Sequence, residues 1–381
     1  SLGLDDGDVF LVQAIFSGAV ALLEIPTGYV SDLLGRKRTL LVAGLLHGVA
    51  YSMLPVVHGF WGVASFELVA ALAVSLYSGT DVALQYDSLE ALGEPAGRRK
   101  GLGRRLFWMQ SGETAAALTG GWLVLHSLQT VAFWNAMVGW VPFVLALGLA
   151  DVSIDRMGRH EHGANLRRIA HELFRVSAVV RGVLGNLVIY GLATLLAVWS
   201  FQGYWEALGI PIWTFGYLWA GYNLTVALVG SVAHRIEDRI STLWAHRLIA
   251  WLPVLGYAGM AAIFGSAAPK AWVWGAAILA GIAFQVGRGL TQVILKDELN
   301  VRVPANMRAT ANSVSTLGVR FGFVLLGPLL GWLIDGRGHP TAFFAAAALY
   351  VVLALACAWP LMNLMRRERE AMSAPGSIER A

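Results

Sequence analysis

Residues 28–40 read Gly-Tyr-Val-Ser-Asp-Leu-Leu-Gly-Arg-Lys-Arg-Thr-Leu, and they join two long apolar runs at about 8–30 and 39–58. Runs of about 20 apolar residues are long enough to cross a bilayer as helices. Three consecutive basic residues, 36–38, fall in the short connection between the runs. Because short connections rich in Lys and Arg stay on the cytoplasmic side, the stretch predicts two membrane helices joined by a cytoplasmic loop.

The composition extends this interpretation to the whole chain. Of 381 residues, 57% are hydrophobic and 14% are charged, and the mean hydropathy is +0.61. These values predict an all-α integral membrane protein with roughly eleven crossings. The basic residues form short clusters between apolar runs, which indicates membrane topology and argues against a nucleic-acid partner. A single cysteine, Cys357, excludes a disulfide framework and a cysteine-ligated metal site.

The apolar runs divide the chain into four sections. Five predicted spans lie in an N-terminal bundle and six in a C-terminal bundle, at about 8–30, 39–58, 60–84, 106–125, 129–150, 183–204, 212–233, 243–265, 271–293, 309–333 and 341–363. The predicted sections are 1–150, a cytoplasmic linker at 151–181, the second bundle at 182–365 and a cytoplasmic tail at 366–381. Apolar residues at helical spacing predict a surface-lying linker helix, and a solvated loop is the alternative.

Alternate connections carry nearly all the basic residues, so the first residue is predicted to face outside and the carboxyl terminus the cytoplasm of a cell inner membrane. An odd number of spans with an outside amino terminus leads us to expect that a first helix precedes this sequence. An internal repeat agrees, because residues 230–239 form a degenerate copy of the 28–40 stretch, 202 residues later. In this repeat Glu237 takes the place of Gly35.

The 28–40 stretch resembles the motif G-x-L-A-D-R-x-G-R-K-x-x-L between the second and third helices of the major facilitator superfamily. The matching residues are Gly28, Asp32, Gly35, Arg36, Lys37 and Leu40, and the departures are Val30 and Leu33. A plain cytoplasmic loop would explain the basic residues but not the Gly/Asp/Gly spacing. The resemblance implies two pseudo-symmetric helical bundles, with this chain covering family helices two to twelve, and secondary transport by alternating access.

Glycines in the fourth predicted span carry a second resemblance. Gly103, Gly112 and the pair Gly120-Gly121 resemble the glycine-rich fifth-helix motif of the family's drug antiporters, although Ala116-Ala117 replaces its Gly-Pro pair. Ordinary close packing of small residues is the alternative. The tracts 86–89 and 309–335 also resemble bacterial exporters of the superfamily.

Charges inside predicted spans are candidate functional residues, because each costs about 2.5 to 3.5 kcal/mol to insert. Six were selected: Glu24, Glu67, Asp81, Glu113, Arg288 and Arg320. Arg320 lies twelve residues beyond Arg308, about 18 Å along a helix, near the middle of the membrane. It is therefore predicted to bind an anionic substrate group or to pair with Glu113. A structural ion pair without access to substrate is the alternative.

The remaining charges differ in their predicted depth within the membrane. Arg288 is predicted about five residues from the inner end of its span, where it can snorkel to the cytoplasmic surface. Glu24 and Asp81 are also nearer the inner end. Glu113 and Glu67 could carry protons, because an apolar setting favours the protonated form of a carboxyl group. The predicted cytoplasmic gate comprises Gly28, Asp32, Gly35, Arg36, Lys37, Arg38, Asp81 and Arg288.

Two uncharged residues, Tyr222 and Asn223, are predicted to line the cavity, and Glu24 remains a coupling candidate. No metalloprotease pattern or phosphate-binding glycine loop is visible, so neither an enzyme nor an ATP-driven pump is expected, and no cofactor or metal. The predicted partners are membrane lipids, a small-molecule substrate and protons. The favoured function is proton-coupled efflux of a small amphiphilic molecule. The alternatives are an uptake symporter for an organic solute and a non-transporting scaffold or sensor.

Overall fold

The computed structural model describes residues 3–78, 80–93, 98–150, 177–303 and 308–373, and within these residues every regular element is helical. The predicted linker helix and the last eight residues of the tail lie outside the described residues. Long apolar sequences form these helices because a helix satisfies all its backbone hydrogen bonds internally, as the membrane interior requires.

The described residues before 151 form seven helices. They are α1 (Asp6–Leu34), α2 (Arg36–Met53), α3 (Gly59–Tyr77), α4 (Thr80–Ala91), α5 (Arg98–Leu123), α6 (Leu128–Val138) and α7 (Val141–Leu147). The predicted span 60–84 is thus divided between α3 and α4, because Ser78 has a non-helical backbone (φ −54°, ψ 116°).

The remaining helices of the described residues follow Ser177. They are α8 (Ala178–Ala207), α9 (Phe215–Ile240), α10 (Thr242–Ile263), α11 (Lys270–Leu290), α12 (Lys296–Arg302), α13 (Arg308–Leu353) and α14 (Trp359–Ser373). One turn of π-helix, Thr291–Leu295, links α11 to α12, and another, Ala354–Ala358, links α13 to α14. Gly338, with φ at +80°, divides α13 into two helical arms.

Two further boundaries differ from the sequence prediction. The span predicted to end near 293 continues as helix to Arg302. The turn equivalent to Gly35, whose φ of +86° ends α1, lies at Ser241, whose φ is +67°. Ser241 follows Glu237 by about one helical turn, so the predicted repeat register is wrong there. Six stretches of helix in the described residues are long and apolar enough to cross a membrane, which is compatible with about eleven spans without confirming that count.

Contacts between Cα atoms divide the chain into two units. Of the described residues, the first unit contains those up to 150 with the short segments 211–220 and 323–332, and the second unit contains the others. In the first unit glycines allow α2 to approach α7, since a Cβ on Gly44 would lie 2.7 Å from the Phe143 Cα. In the second unit a large apolar core includes Val180, Ile249 and Leu295, all essentially inaccessible to solvent.

Candidate functional site

The predicted cytoplasmic gate contains a polar network where α1 ends and α2 begins. Arg36 donates from Nη1 to the Ser31 hydroxyl at 2.7 Å, and Thr80, at the start of α4, donates to the same oxygen at 3.1 Å. The Arg36 Nε lies 3.8 Å from Oδ2 of Asp87, with the two side chains 17% and 19% exposed. One arginine therefore connects the α1–α2 junction to α4.

The other predicted gate residues of the first unit contribute differently. Gly35 forms the turn itself, and Gly28 is exposed on α1. Lys37 is half-buried and Arg38 exposed, and neither forms an ion pair with a described residue. Asp81 lies in the first turn of α4, where its Oδ1 accepts a 2.8 Å hydrogen bond from the Val82 amide. A carboxylate is favourable there because the amino terminus of a helix carries partial positive charge.

The Asp32 backbone belongs to α1, but its side chain lies outside the described part of the structure. Its role in the gate therefore stays a prediction from the motif.

Glu24 lies beside the break between α3 and α4. Ser78 donates to its Oε1 at 3.2 Å, and Thr27, one turn further along α1, donates to the Ser75 carbonyl at 3.0 Å. The Ser75 carbonyl lies in the last turn of α3, where carbonyls lack intrahelical donors. These two bonds fix α1 against the end of α3, close to the gate network.

Glu67 accepts a short hydrogen bond from a side chain of another helix. Its Oε1 accepts a 2.6 Å hydrogen bond from the Gln13 amide, which joins α3 to α1. Gln13 is 7% exposed, whereas Glu67 is only half-buried. Each residue lies about two turns inside its helix from the end predicted to be outside. The pair combines a titratable group, partial access and a fixed hydrogen-bond partner.

In the second unit Tyr222 is buried in an aromatic cluster. Its ring centroid lies 5.1 Å from that of Phe201 and 5.7 Å from that of Trp205, and its hydroxyl donates to the Ile278 carbonyl at 3.1 Å. Gly281 permits this contact, because a side chain at 281 would collide with the Tyr222 hydroxyl. The observed role of Tyr222 is thus to hold α9 against α11.

Two amides of the second unit lack partners inside the described structure. Asn223 on α9 and Gln285 on α11 are 5% and 1% exposed, and neither side-chain nitrogen donates to a described acceptor. A buried donor left without an acceptor costs about 1 to 3 kcal/mol. The predicted place of Asn223 in the cavity stays a prediction.

The two arginines and Glu113 are placed as follows. Helix α13 begins at Arg308, so Arg320 lies about 18 Å along it, half-buried. Arg288 is also half-buried, in the last turn of α11, and its snorkelling to the cytoplasmic surface stays a prediction. Glu113 is exposed on α5. Glu113 and Arg320 belong to different units, and their pairing stays a prediction.

The glycines of α5 show one close contact. A Cβ on Gly121 would lie 3.2 Å from the Trp213 carbonyl oxygen and 3.4 Å from the Gly216 Cα, both in the first unit. Gly112 and Gly120 have open space in the same test. Close packing therefore accounts for Gly121 but not for Gly112 or Gly120.

Sequence reasoning missed the neutral partners Gln13 and Ser31, because these residues are uncharged and only charges inside spans were treated as candidates. The available signal was an amide inside a run of apolar residues, since Gln13 lies between Val12 and Ala14. Asp87 belonged to the tract 86–89 but was not assigned to the gate.

Comparison with known proteins identifies the architecture. The family model for the Major Facilitator Superfamily matches residues 1–302. The crystal structure of the nucleoside transporter NupG has a TM-score of 0.76 at 13% identity, covering 96% of this chain and 92% of that chain. A D-xylose-proton symporter has a TM-score of 0.70 at 14% identity, covering 94% and 89%. A peptide transporter has a TM-score of 0.70 at 14% identity, covering 96% and 87%.

At these identities the structural matches show the fold alone, and no curated protein sequence matches significantly. The family match covers more than half of the chain, and the all-helical membrane fold predicted from the sequence is confirmed. The chain is therefore a multi-pass membrane protein of the secondary-transporter fold, and it belongs to the major facilitator superfamily.

Proposed function

We propose that the chain exports a small amphiphilic molecule across a cell inner membrane in exchange for protons. The observation that carries proton coupling is the Gln13–Glu67 pair at 2.6 Å. A carboxylate inside a spanning helix is costly and marks ion or proton pathways. Glu67 is half-buried, and Gln13 holds its position through the 2.6 Å hydrogen bond.

Gln13 suits both states of the carboxyl group. The Gln side chain has an NH₂ donor and a carbonyl acceptor, whereas a carboxylate only accepts and a protonated carboxyl group also donates. A glutamine can therefore bond the charged form through its nitrogen and the neutral form through its oxygen. The contact survives proton exchange, as a transporter that cycles between the two forms requires.

The polar network of the first unit supports the gating part of the proposal. Arg36 links the α1–α2 junction to α4, and Glu24 and Thr27 link α1 to the end of α3. We propose that these bonds hold the cytoplasmic end of the first unit together in one state and are rearranged in the other. The basic loop at 36–38 is proposed to face the cytoplasm, as is the carboxyl terminus.

Export as the direction rests on the resemblance of the α5 glycines to those of drug antiporters. The test is transport by the purified chain in liposomes with an imposed pH gradient, using ethidium as an amphiphilic probe and D-xylose and uridine as organic solutes. Proton-linked extrusion of ethidium from the compartment facing the basic loops supports export. Inward accumulation of a solute with protons would replace export by uptake, and absence of flux for every probe would favour a scaffold.

A further inference from the structure

The second unit carries an open groove of about 580 Å³ where α9 ends and α10 begins. Positively charged and apolar residues line it together. They are Arg239, Ile240, Trp244, Arg247, Leu248 and Trp251. No part of the transport proposal above uses this groove.

One wall of the groove is an exposed apolar stripe on α10. Trp244, Leu248, Trp251 and Leu255 recur at intervals of four, three and four residues, so they share one helix face, and all are exposed. An exposed apolar stripe on a membrane helix faces lipid. Tryptophan favours the boundary between headgroups and hydrocarbon, which places the start of α10 at that level.

The arginines at the charged end of the groove have no acidic partner among the described residues. The Arg247 guanidinium carbon lies 4.6 Å from the Trp244 ring centroid and 5.9 Å from that of Trp359. Its Nε is buried and donates to no described acceptor. Within the described residues, neither Arg247 nor Arg239 forms an ion pair.

Two carboxylates lie close by in the sequence but do not neutralise the arginines. Glu237 accepts a 2.7 Å hydrogen bond from the Thr242 hydroxyl, and Asp238 is exposed in the last turn of α9. A cation that lies beside an apolar, lipid-facing stripe and has no ion-pair partner in the described part of the chain can be stabilised by an anionic lipid headgroup.

We propose that this groove binds an anionic phospholipid of the cytoplasmic leaflet. The lipid phosphate lies between Arg239 and Arg247, and an acyl chain follows the stripe from Trp244 to Leu255. The connection between α9 and α10 is one of the basic connections predicted to be cytoplasmic, which selects this leaflet. Phosphatidylcholine fits less well, because its own trimethylammonium group offsets the phosphate charge that the two arginines attract.

The test is native mass spectrometry of the purified full chain with equal amounts of phosphatidylglycerol and phosphatidylcholine that have identical acyl chains. The wild type is expected to retain phosphatidylglycerol in preference. Arg239→Gln and Arg247→Gln are each expected to lower that preference about fivefold, from the attraction of one basic side chain to an anionic lipid surface. Arg247→Lys, which keeps the charge, is expected to retain most of it.

Arg366→Gln is the matched control, because it removes one positive charge from α14 at a residue that is 70% exposed and bonded to Glu370. It is expected to leave the preference unchanged. Equal retention of the two lipids by the wild type overturns the proposal, as does an effect of Arg366→Gln as large as that of Arg247→Gln. If Arg247→Gln does not fold, the lipid preference of Arg239→Gln tests the proposal, because Arg239 is exposed on the last turn of α9 and its replacement should not prevent folding.

A second measurement locates the lipid. Phosphatidylglycerol with brominated acyl chains is expected to quench the tryptophan fluorescence of the wild type more than that of Trp244→Phe. With brominated phosphatidylcholine, the difference in quenching between the wild type and Trp244→Phe is expected to be smaller. The same difference for both lipids would show that the stripe is covered by lipid without headgroup selection, which contradicts the proposal.

Discussion

Replacing Arg36 by glutamine is expected to destabilise the first unit more than replacing any neighbouring charge of the 36–38 triplet. The guanidinium makes two contacts that glutamine cannot reproduce together, the 2.7 Å hydrogen bond to Ser31 and the 3.8 Å approach of its Nε to Asp87. At that separation and an effective dielectric constant of about 20, the Coulomb attraction is about 4 kcal/mol. Desolvation of two mostly buried groups offsets much of it.

The net interaction between Arg36 and Asp87 is therefore expected to be about 1 to 2 kcal/mol. Loss of the hydrogen bond to Ser31 adds about 1 kcal/mol to the effect of Arg36→Gln. The expected losses in unfolding free energy are about 2 to 3 kcal/mol for Arg36→Gln and about 1 to 2 kcal/mol for Asp87→Asn.

The assay is unfolding of the purified chain in sodium dodecyl sulfate, followed by tryptophan fluorescence, for both single variants and the double variant. Arg38→Gln is the matched control, because Arg38 is exposed and unpaired within the described residues, and it should change stability by less than about 0.5 kcal/mol. Additive single effects, with a coupling below about 0.3 kcal/mol, would refute the contact as a stabilising link. An Arg38→Gln effect equal to that of Arg36→Gln would refute its specificity.

Three further predictions concern the gate, the turns and the arginines. Asp32→Asn should reduce transport in liposomes while leaving the unfolding transition largely unchanged, and normal flux would remove Asp32 from the gate. Ser241→Gly should stabilise the chain by about 1 kcal/mol and Gly35→Ala should destabilise it by a similar amount, because both turns have positive φ. The measurement is the free energy of unfolding of each variant. A destabilising Ser241→Gly or a stabilising Gly35→Ala would contradict the assigned turns. Arg320→Gln should weaken substrate binding more than Arg288→Gln, and the reverse order in equilibrium binding would show that the two roles were assigned wrongly.

The sequence predicted the helices well wherever long apolar runs coincide with them. The run at 8–30 lies within Asp6–Leu34, and the run at 183–204 lies within Ala178–Ala207. Hydropathy does not predict the end of a helix that continues beyond an apolar run. Thr291 to Arg302 remains helical although Lys296, Asp297 and Glu298 are charged, so the predicted end near 293 came too early.

The break at Ser78 was also invisible to hydropathy, because the residues on both sides of it are apolar enough to continue the span. It depends partly on tertiary contacts. Ser78 and Ser75 bond to Glu24 and Thr27, residues about fifty positions away in the chain. No local pattern can show such contacts.

Some residues of the candidate site could likewise be found from the sequence, and others could not. Glu67 was found because a charge in an apolar span is conspicuous, but its partner Gln13 lies 54 positions away and only the fold brings the two together. Tyr222 shows the same limit. Its place in the cavity stays a prediction, and its contact with the Ile278 carbonyl, 56 positions away, is visible only in the fold.

Proton coupling through Glu67 is tested most directly by proton movement in liposomes that contain Glu67→Gln. Glutamine keeps the size and a hydrogen bond to Gln13 but cannot titrate, so substrate binding should persist while substrate-dependent proton flux, reported by an entrapped pH-sensitive dye, disappears. Glu206→Gln, at an exposed residue near the end of α8, is the matched control and should transport like the wild type. Substrate-dependent proton flux in Glu67→Gln equal to that of the wild type would contradict the role assigned to Glu67.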